Sequence, residues 1–506
     1  RLPSVSQKNI TIYDIAREAG VSAATVTRVL KNSPSVKDAT REKVRKIIDL
    51  HGYAPSSVAQ GLGSGNTRTI GMILPSIRNP YYADLVSAAD AEARAQGYSL
   101  WLYQLPREGE ITAQVVENLI ARRLSGAFFI GSFVDVDRPD LRLLLNRLGK
   151  YMPIVAISGF THPDLGEQAI AEGKCDLIAS ARAFISNPEY GQLVQEGRGE
   201  DIVPCLRCNK CHTANHNLGV CVVNPRFHAE KVDDKRIVPV DQRKTIAIIG
   251  GGPAGMKCAI TAADRGHTVT IYEKNDHLGG MIDHSRYASF KWPMFNLLKY
   301  FERKVSTHPN ITVRLDCAPE PDWLEAQGYD VVIAALGSTP IVPPIPGIEL
   351  AIPATRAFGH EEFLSQNVVI IGGGEIGVET GLHLAQKGKN VTIIEMKDVA
   401  AEEARRVHYY NMFMDAVEEY ADTLKIILKA TCTGITAESV SYKDEAGEAH
   451  TVPAGTVLLA AGMKANVPAT MAYANCGRQF YYIGDCGQMG NLQTAIRQGY
   501  QIANTI

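Results

Sequence analysis

The chain has 506 residues, 45% apolar and 21% charged, the balance of a globular protein with about three or four domains. No run approaches the roughly 18 apolar residues of a membrane span, so no membrane-spanning role is expected. Net charge is −2 but uneven: residues 1–68 carry eleven Lys or Arg against five Asp or Glu, a basic head that points to a polyanion partner. The start, "RLPSVSQKNI", has neither a signal-peptide layout nor an initiator methionine, as a processed or partial chain would. Ten cysteines at this length exclude a disulfide scaffold. Four are bunched, which without an export signal indicates a reducing cytoplasm and a metal.

"TIYDIAREAGVSAATVTRVLKNSPSV" reads as two short helices around a tight turn. Thr11 caps the first and Asp14 completes a capping box. Ile12, Ile15 and Ala16 form its inner face, and Gly20 suits the left-handed residue that ends it. Ser22 caps the second helix, with Val26, Val29 and Leu30 inward. A third, "REKVRKIIDL", turns Val44, Ile47 and Ile48 to one side. This is helix-turn-helix order, which lays the start of the second helix in a DNA major groove. Ala23, Ala24, Thr25 and Arg28 stand there, Arg28 suited to guanine and the alanines to thymine methyls. The alternative is a helical triplet used for packing or protein contact. With "GYAPSSVAQGLGSGNTRTIGMILP" following, residues 1–62 closely resemble the head and hinge of the lactose-repressor family. The resemblance implies operator DNA as partner and a hinge-helix leucine in the minor groove. Leu62 matches it, beside Gly61, which weakens a helix.

Residues 63–158 continue that resemblance. "TIGMILPSIRNPYYADLVSAADAEARAQGYSLWLY", "LSGAFFIGS" and "MPIVAIS" supply strand, helix and further strands of a two-lobed, periplasmic-binding-protein-like sensor. "IRNPYY" matches its effector-cleft loop. Only the first lobe is present. A cleft with one wall cannot enclose a ligand, so these residues are expected to pack a lobe rather than sense an effector.

From 159 to 204 the character changes. "FTHPDLGEQAIAEGKCDLIASARAFISNPEYGQLVQEGRGEDIVPCLRC" resembles the end of the flavin barrel in the family of 2,4-dienoyl-CoA reductase and trimethylamine dehydrogenase. There the last barrel strand and its loop hold FMN phosphate, and Arg182 matches the family's arginine. A (β/α)8 barrel needs about 250 residues, whereas one or two units are present. The resemblance therefore implies FMN, with an incomplete site. Such a fragment has open strand edges unless the half-sensor's sheet covers them. The join near residue 159 is natural, engineered or an assembly error.

Cys205, Cys208, Cys211 and Cys221 follow as C-x2-C-x2-C-x9-C within 205–232. Structural zinc usually takes two separated pairs, whereas a tight triplet plus a remote fourth suits a cubane. The reductase resemblance also implies a 4Fe–4S cluster, although the last gap is slightly short for the family. Zinc, with His212 or His216 substituting, and free thiols are the alternatives. Cys175, Cys258, Cys317, Cys432, Cys476 and Cys486 are isolated.

"KTIAIIGGGPAGMKCAITAADRGHTVTIYEKNDHLGG" is strand, glycine turn, helix and strand. Gly250, Gly252 and Gly255 make G-x-G-x-x-G, which brings a pyrophosphate onto a helix start. Glu273, 21 residues past Gly252, suits a ribose 2′-hydroxyl, and Gly280 lies in the "HLGG" that follows. The pattern recurs in "NVVIIGGGEIGVETGLHLAQKGKNVTIIEM", with Gly372, Gly374, Gly377 and Glu395. Two units imply two dinucleotides. "FYYIGDCGQMGNLQTAIRQGYQIA" then offers Gly484 and Asp485. This resembles the disulfide-reductase-like flavoproteins, in which that aspartate contacts the FAD ribityl chain and "VVIAALGSTP" and "TVLLAAGMKAN" would be crossover strands. The resemblance implies FAD on 243–345 plus 460–506 and a nicotinamide on 346–459. Glu395 repels a 2′-phosphate, which favours NADH over NADPH. No C-x4-C redox disulfide follows the first turn, so electrons leave FAD by another route.

The expected fold class is multidomain: an all-α helix-turn-helix head, a truncated α/β sensor lobe, a (β/α)8-barrel remnant and two Rossmann-like α/β dinucleotide-binding domains. The leading function is an FAD- and 4Fe–4S-containing NAD(P)H oxidoreductase serving an unidentified acceptor, diaphorase-like because its barrel is incomplete. The alternatives are a DNA-binding regulator and a chimera of the two without integrated function. No residue is assigned a catalytic role. A cytoplasmic homo-oligomer is expected.

Overall fold

The computed structural model describes residues 10–53, 67–75, 77, 80–105, 111–131, 139–157, 159–211, 219–229, 240–406 and 410–506. Leu62, Gly61, His212, His216 and part of "IRNPYY" lie outside them. The chain divides into two compact units, 1–158 with 166–179, and 159–165 with 180–506.

In the first unit, helices α1 (Ile12–Ala19), α2 (Ala23–Leu30) and α3 (Asp38–His51) enclose a small core. The Asp14 backbone N–H donates to Thr11 Oγ1 at 3.4 Å and Thr11 N–H to Asp14 Oδ2 at 3.0 Å, which completes the capping box. Gly20 ends α1 at φ +66°, and Ser22 Oγ accepts from Thr25 N–H at 3.2 Å to start α2. Ile15, Ala16, Val26, Val29 and Val44 are buried; Ile12, Leu30, Ile47 and Ile48 pack against them at the rim.

Strands β1 (Thr69–Leu74), β2 (Ser99–Gln104), β3 (Gly126–Ile130), β4 (Ile154–Ile157) and β5 (Leu177–Ala179) alternate with α4 (Pro80–Ala95), α5 (Ala113–Ala121), α6 (Pro139–Gly149) and α7 (Pro163–Ala171). The sheet order is β2-β1-β3-β4-β5, all parallel. β5 comes from "CDLIA". It pairs with β4 at Val155↔Leu177 through Ile157↔Ala179, and Asp176 Oδ2 accepts from Ile154 N–H at 2.7 Å. The strand read as the end of a barrel is therefore the fifth strand of this sheet, and Leu177 is exposed on its outer edge.

The second unit holds two five-stranded parallel sheets. One, ordered β20-β9-β6-β7-β8, contains β6 (Thr245–Ile249), β7 (Thr268–Tyr272), β8 (Ile311–Arg314), β9 (Val331–Ala334) and β20 (Gln479–Tyr482). The other, ordered β11-β18-β12-β13-β14, contains β11 (Ala351–Pro353), β12 (Asn367–Ile371), β13 (Asn390–Ile394), β14 (Leu424–Ile427) and β18 (Thr456–Leu459). Inner strands such as β9, "VVIA", are buried throughout, as parallel strands covered on both faces must be. β10 (Ser338–Pro340) and β19 (Met463–Ala465), from the two crossover segments, pair antiparallel. β15 (Thr431–Ile435), β16 (Ser439–Lys443) and β17 (Ala449–Pro453) form a small antiparallel sheet.

Helices α8 (Pro253–Asp264) and α9 (Leu492–Thr505) cross so closely that a Cβ on Gly499 would lie 2.5 Å from the Ala254 carbonyl oxygen. Gly499→Leu should therefore force the helices apart and destabilise this unit by about 1–3 kcal/mol. A lower urea midpoint with Gly499→Leu, and a smaller change with Gly499→Ala, is the expected result.

Candidate functional site

The first glycine turn sits between β6 and α8. Gly250 has φ +115°, and a Cβ there would meet the Ala335 carbonyl oxygen at 2.3 Å. A Cβ on Gly255 would meet the Gly250 carbonyl oxygen at 2.1 Å, so the helix lies directly on the turn. Gly252 begins α8 with no side-chain cap, leaving orphan N–H donors at the helix start. Glu273 is buried and accepts from Gly251 N–H at 2.8 Å and Asn275 N–H at 3.0 Å. Gly279 N–H donates to the Gly251 carbonyl at 3.1 Å, which brings Gly280 to the turn. β20 pairs with β9, and β9 with β6, so Gly484 and Asp485 reach the same sheet end. Asp485 Oδ1 accepts from Gly490 N–H at 3.0 Å and Gly484 N–H donates to Gln498 Oε1 at 2.6 Å. All seven residues expected to serve FAD are thus carried by one sheet and its turns.

The second turn repeats this construction between β12 and α10 (Glu375–Gln386). Gly372 and Gly377 pack as Gly250 and Gly255 do, and Gly374 begins the helix without a side-chain cap. Glu395 is buried and accepts from the Gly373 and Lys397 backbone N–H groups.

Cys205, Cys208, Cys211 and Cys221 line one cavity with Arg182, Asn209 and the apolar side chains of Ile185, Leu206, Val220, Val222 and Val223. Arg207 and Asn209 take left-handed backbone, at φ 55° and 56°, to wrap the triplet inward. Arg207 N–H donates to Cys205 Sγ at 3.4 Å, and its guanidinium donates to the Gly159 carbonyl and lies 5.0 Å over the Trp292 ring. Arg182 Nη1 donates to Asn209 Oδ1 at 2.7 Å. Gly219 returns the chain: a Cβ there would lie 2.3 Å from the Cys211 carbonyl oxygen. Burial raises the Cys205 and Cys211 thiols and pushes Cys221 up to about 12. The four thiols line one apolar-walled cavity, no three of their sulfurs within 4.8 Å of one another, a spacing too wide for a single ion and open to a polynuclear centre, whose positive charge would drive their deprotonation. Val222 and Val223 belong to the same apolar core as Ile246, Ile248 and Met256 of the first dinucleotide unit.

A buried polar network joins the two dinucleotide units. Lys291, from the first, pairs with Glu379 on α10, their side chains 11% and 10% exposed. Lys291 Nζ donates to His284 Nε2 at 3.1 Å, and His383 on α10 bonds Glu361. The Phe358 ring lies 5.2 Å from His284 and 4.8 Å from His383. Sequence reasoning missed this network. Its signal was the polar stripe Glu375, Glu379, His383 at i, i+4, i+8 on an otherwise apolar helix.

In the first unit, Ala24 is exposed at the start of α2 and Arg28 is exposed in its last turn, and Ala23 and Thr25 are half-buried. No described helix is long and apolar enough to cross a membrane.

This fold is that of a Rossmann-like oxidoreductase with a helical N-terminal region. Residues 244–499 match the pyridine nucleotide-disulphide oxidoreductase family, and the chain belongs to it. Residues 11–56 match the bacterial regulatory proteins of the lacI family, and 67–216 the periplasmic binding proteins and sugar binding domain of the LacI family. The last match runs past residue 158 and includes β5. The chain is 31% identical over 362 residues to bilirubin reductase of Mediterraneibacter gnavus, covering 70% of this chain and 55% of that protein. It is 41% identical over 122 residues to catabolite control protein A of Streptococcus mutans, covering 24% and 37%. A solved 2-naphthoyl-CoA reductase complex superposes with a TM-score of 0.71 at 27% identity, covering 78% of this chain and 62% of that one. The chain thus spans about half the length of the curated oxidoreductases it matches.

Two predictions follow from the buried network. Glu379→Gln strands Lys291 and should destabilise the unit by about 3–5 kcal/mol, partly restored by Lys291→Met in the same chain; urea unfolding measures both. Burial, helped by Lys291, pushes His284 down to about 3. An unfolded histidine titrates near 6.5, so the folded state binds fewer protons between those values. Stability should hold above about pH 6.5 and fall as pH drops below it, less steeply in His284→Gln.

Proposed function

We propose that the second unit is an NADH-oxidising flavoprotein with a 4Fe–4S relay, acting on a diffusible acceptor. Gly250, Gly252, Gly255, Glu273, Gly280, Gly484 and Asp485 hold FAD. Gly372, Gly374, Gly377 and Glu395 hold NADH, and the four cysteines hold the cluster. Bound there, FAD would supply two-electron acceptance from the nicotinamide and the cluster one-electron transfer. The protein supplies the rest. The uncapped starts of α8 and α10 present peptide donors to phosphate. Arg207 and Gly219 shape the cysteine loop, and Arg182 sets a cation beside it.

The observation that carries this reading is the shared core. The cysteine cavity's Val222 and Val223 are packed into the unit assigned to FAD. The test is metal and flavin analysis of the full chain with anaerobic NADH titration. Iron, sulfide and a yellow colour bleached by NADH are expected. Cys208→Ser with Cys211→Ser should lose the iron and one-electron acceptor reduction while FAD stays and still bleaches. Zinc in place of iron, or no flavin, would sink the proposal.

A second reading belongs to the first unit: sequence-selective DNA binding through α2, favoured by the exposed Arg28 beside capped, packed helices. Arg28→Ala should weaken binding to a palindromic duplex by about 1–3 kcal/mol, checked by salt-dependent gel shift.

A further inference from the structure

The two dinucleotide turns are close copies, so one departure between them is legible within a single molecule. In the first, Gly279 N–H bonds the Gly251 carbonyl at 3.1 Å, and the next residue sets only backbone beside Gly252. A Cβ on Gly252 would lie 3.9 Å from Gly280 Cα. In the second, Ala401 N–H makes the equivalent bond to the Gly373 carbonyl at 2.8 Å. The loop then carries Glu402 and Glu403 instead of glycine. A Cβ on Gly374 would lie 3.8 Å from both carboxylate oxygens of Glu403. That direction is the one from which a pyrophosphate approaches such a turn. Glu402 is engaged by Lys397 at 2.7 Å. Glu403 is exposed and makes no hydrogen bond among the described residues, and its charge acts on Lys397 more weakly than that of Glu402 does.

We infer that Glu403 sets the affinity of the nicotinamide site by standing in the path of the dinucleotide's pyrophosphate. This rests on reading 346–459 as that site. The uncapped start of α10 attracts any anion, and Glu403 is an anion the chain itself supplies. An incoming pyrophosphate must displace it and then bind beside a like charge. The first turn has only glycine backbone there, so its ligand meets no such competitor. The asymmetry suits the two roles: a flavin nucleotide is retained, whereas a nicotinamide nucleotide must leave after every hydride transfer.

The experiment measures NADH dissociation constants by fluorescence on the full, FAD-loaded chain and on E403Q and E402Q. E403Q should bind NADH about three- to tenfold more tightly, the effect of removing one nearby like charge, and the gain should shrink as salt rises. E402Q should change affinity by less than about twofold, because Lys397 already pairs with its carboxylate at 2.7 Å. Unchanged or weaker binding in E403Q overturns the inference while leaving the nicotinamide site standing. An equal gain in E402Q also overturns it, because the effect would then be general charge. A wild-type chain that holds FAD but binds no NADH overturns the site assignment and this inference together.

Discussion

Helices α8 and α10 begin with peptide N–H groups that no side chain caps, and much of the second unit is arranged around them. The starts of α8 and α10 fall on Gly252 and Gly374. A helix start leaves four donors without partners, and burying them unmet is costly. A capping serine or aspartate would take one of them and fill the space in front of the rest, whereas glycine leaves both open. The turn must then be held by other means. Glu273 and Glu395, each just past the strand that follows its turn's helix, accept from the middle glycine of their turns. Each carboxylate thus fixes the turn from behind while its front stays open.

The cysteine loop poses the opposite electrostatic problem. Its thiols sit in an apolar wall, where burial favours the neutral form and a thiolate needs a cation. The loop is held in a shape that would be strained without outside support. Arg207 is tied to Gly159 and Trp292, and Gly219 lets the return strand pass against Cys211. Because Val222 and Val223 are also core residues of the flavin-assigned unit, the loop cannot shift without disturbing that core. Position and chemistry are therefore coupled through packing.

What was legible in the sequence was local. Thr11 with Asp14, Ser22, Gly20, both glycine turns and the acid closing each are short-range patterns whose physics is complete within about 30 residues. The bunching of the cysteines was equally plain. Illegible features were set by partners far along the chain. Gly499 is small because Ala254 lies across from it, and Gly219 because Cys211 does. Lys291 and Glu379 look like surface charges until the two dinucleotide units meet. The fate of "CDLIA" was open for the same reason. An isolated apolar strand does not reveal its neighbour, and β4 supplied it.

That pairing places residues on both sides of position 159 in one first-unit sheet. A parallel strand, a crossover helix and a second parallel strand form the repeating element of doubly wound lobes and of (β/α)8 barrels. β4, α7 and β5 make one such element, and residue 159 falls in the loop after β4, where sequence change leaves strand pairing untouched. Sheet continuity needs only apolar strands at the right spacing, which β4 and β5 supply. A binding site needs more. A barrel's phosphate pocket and a two-lobed cleft both draw residues from several distant strands, so one strand–helix–strand element by itself carries a fold without such a site. The dinucleotide half escapes this limit. Its turns, its buried acids and the returning β20 segment all lie between residues 240 and 506, on sheets that segment completes. The dinucleotide part of the redox chemistry proposed for this chain therefore rests on sites built from that segment's own strands, and the cysteine loop before it is tied to them through Val222 and Val223.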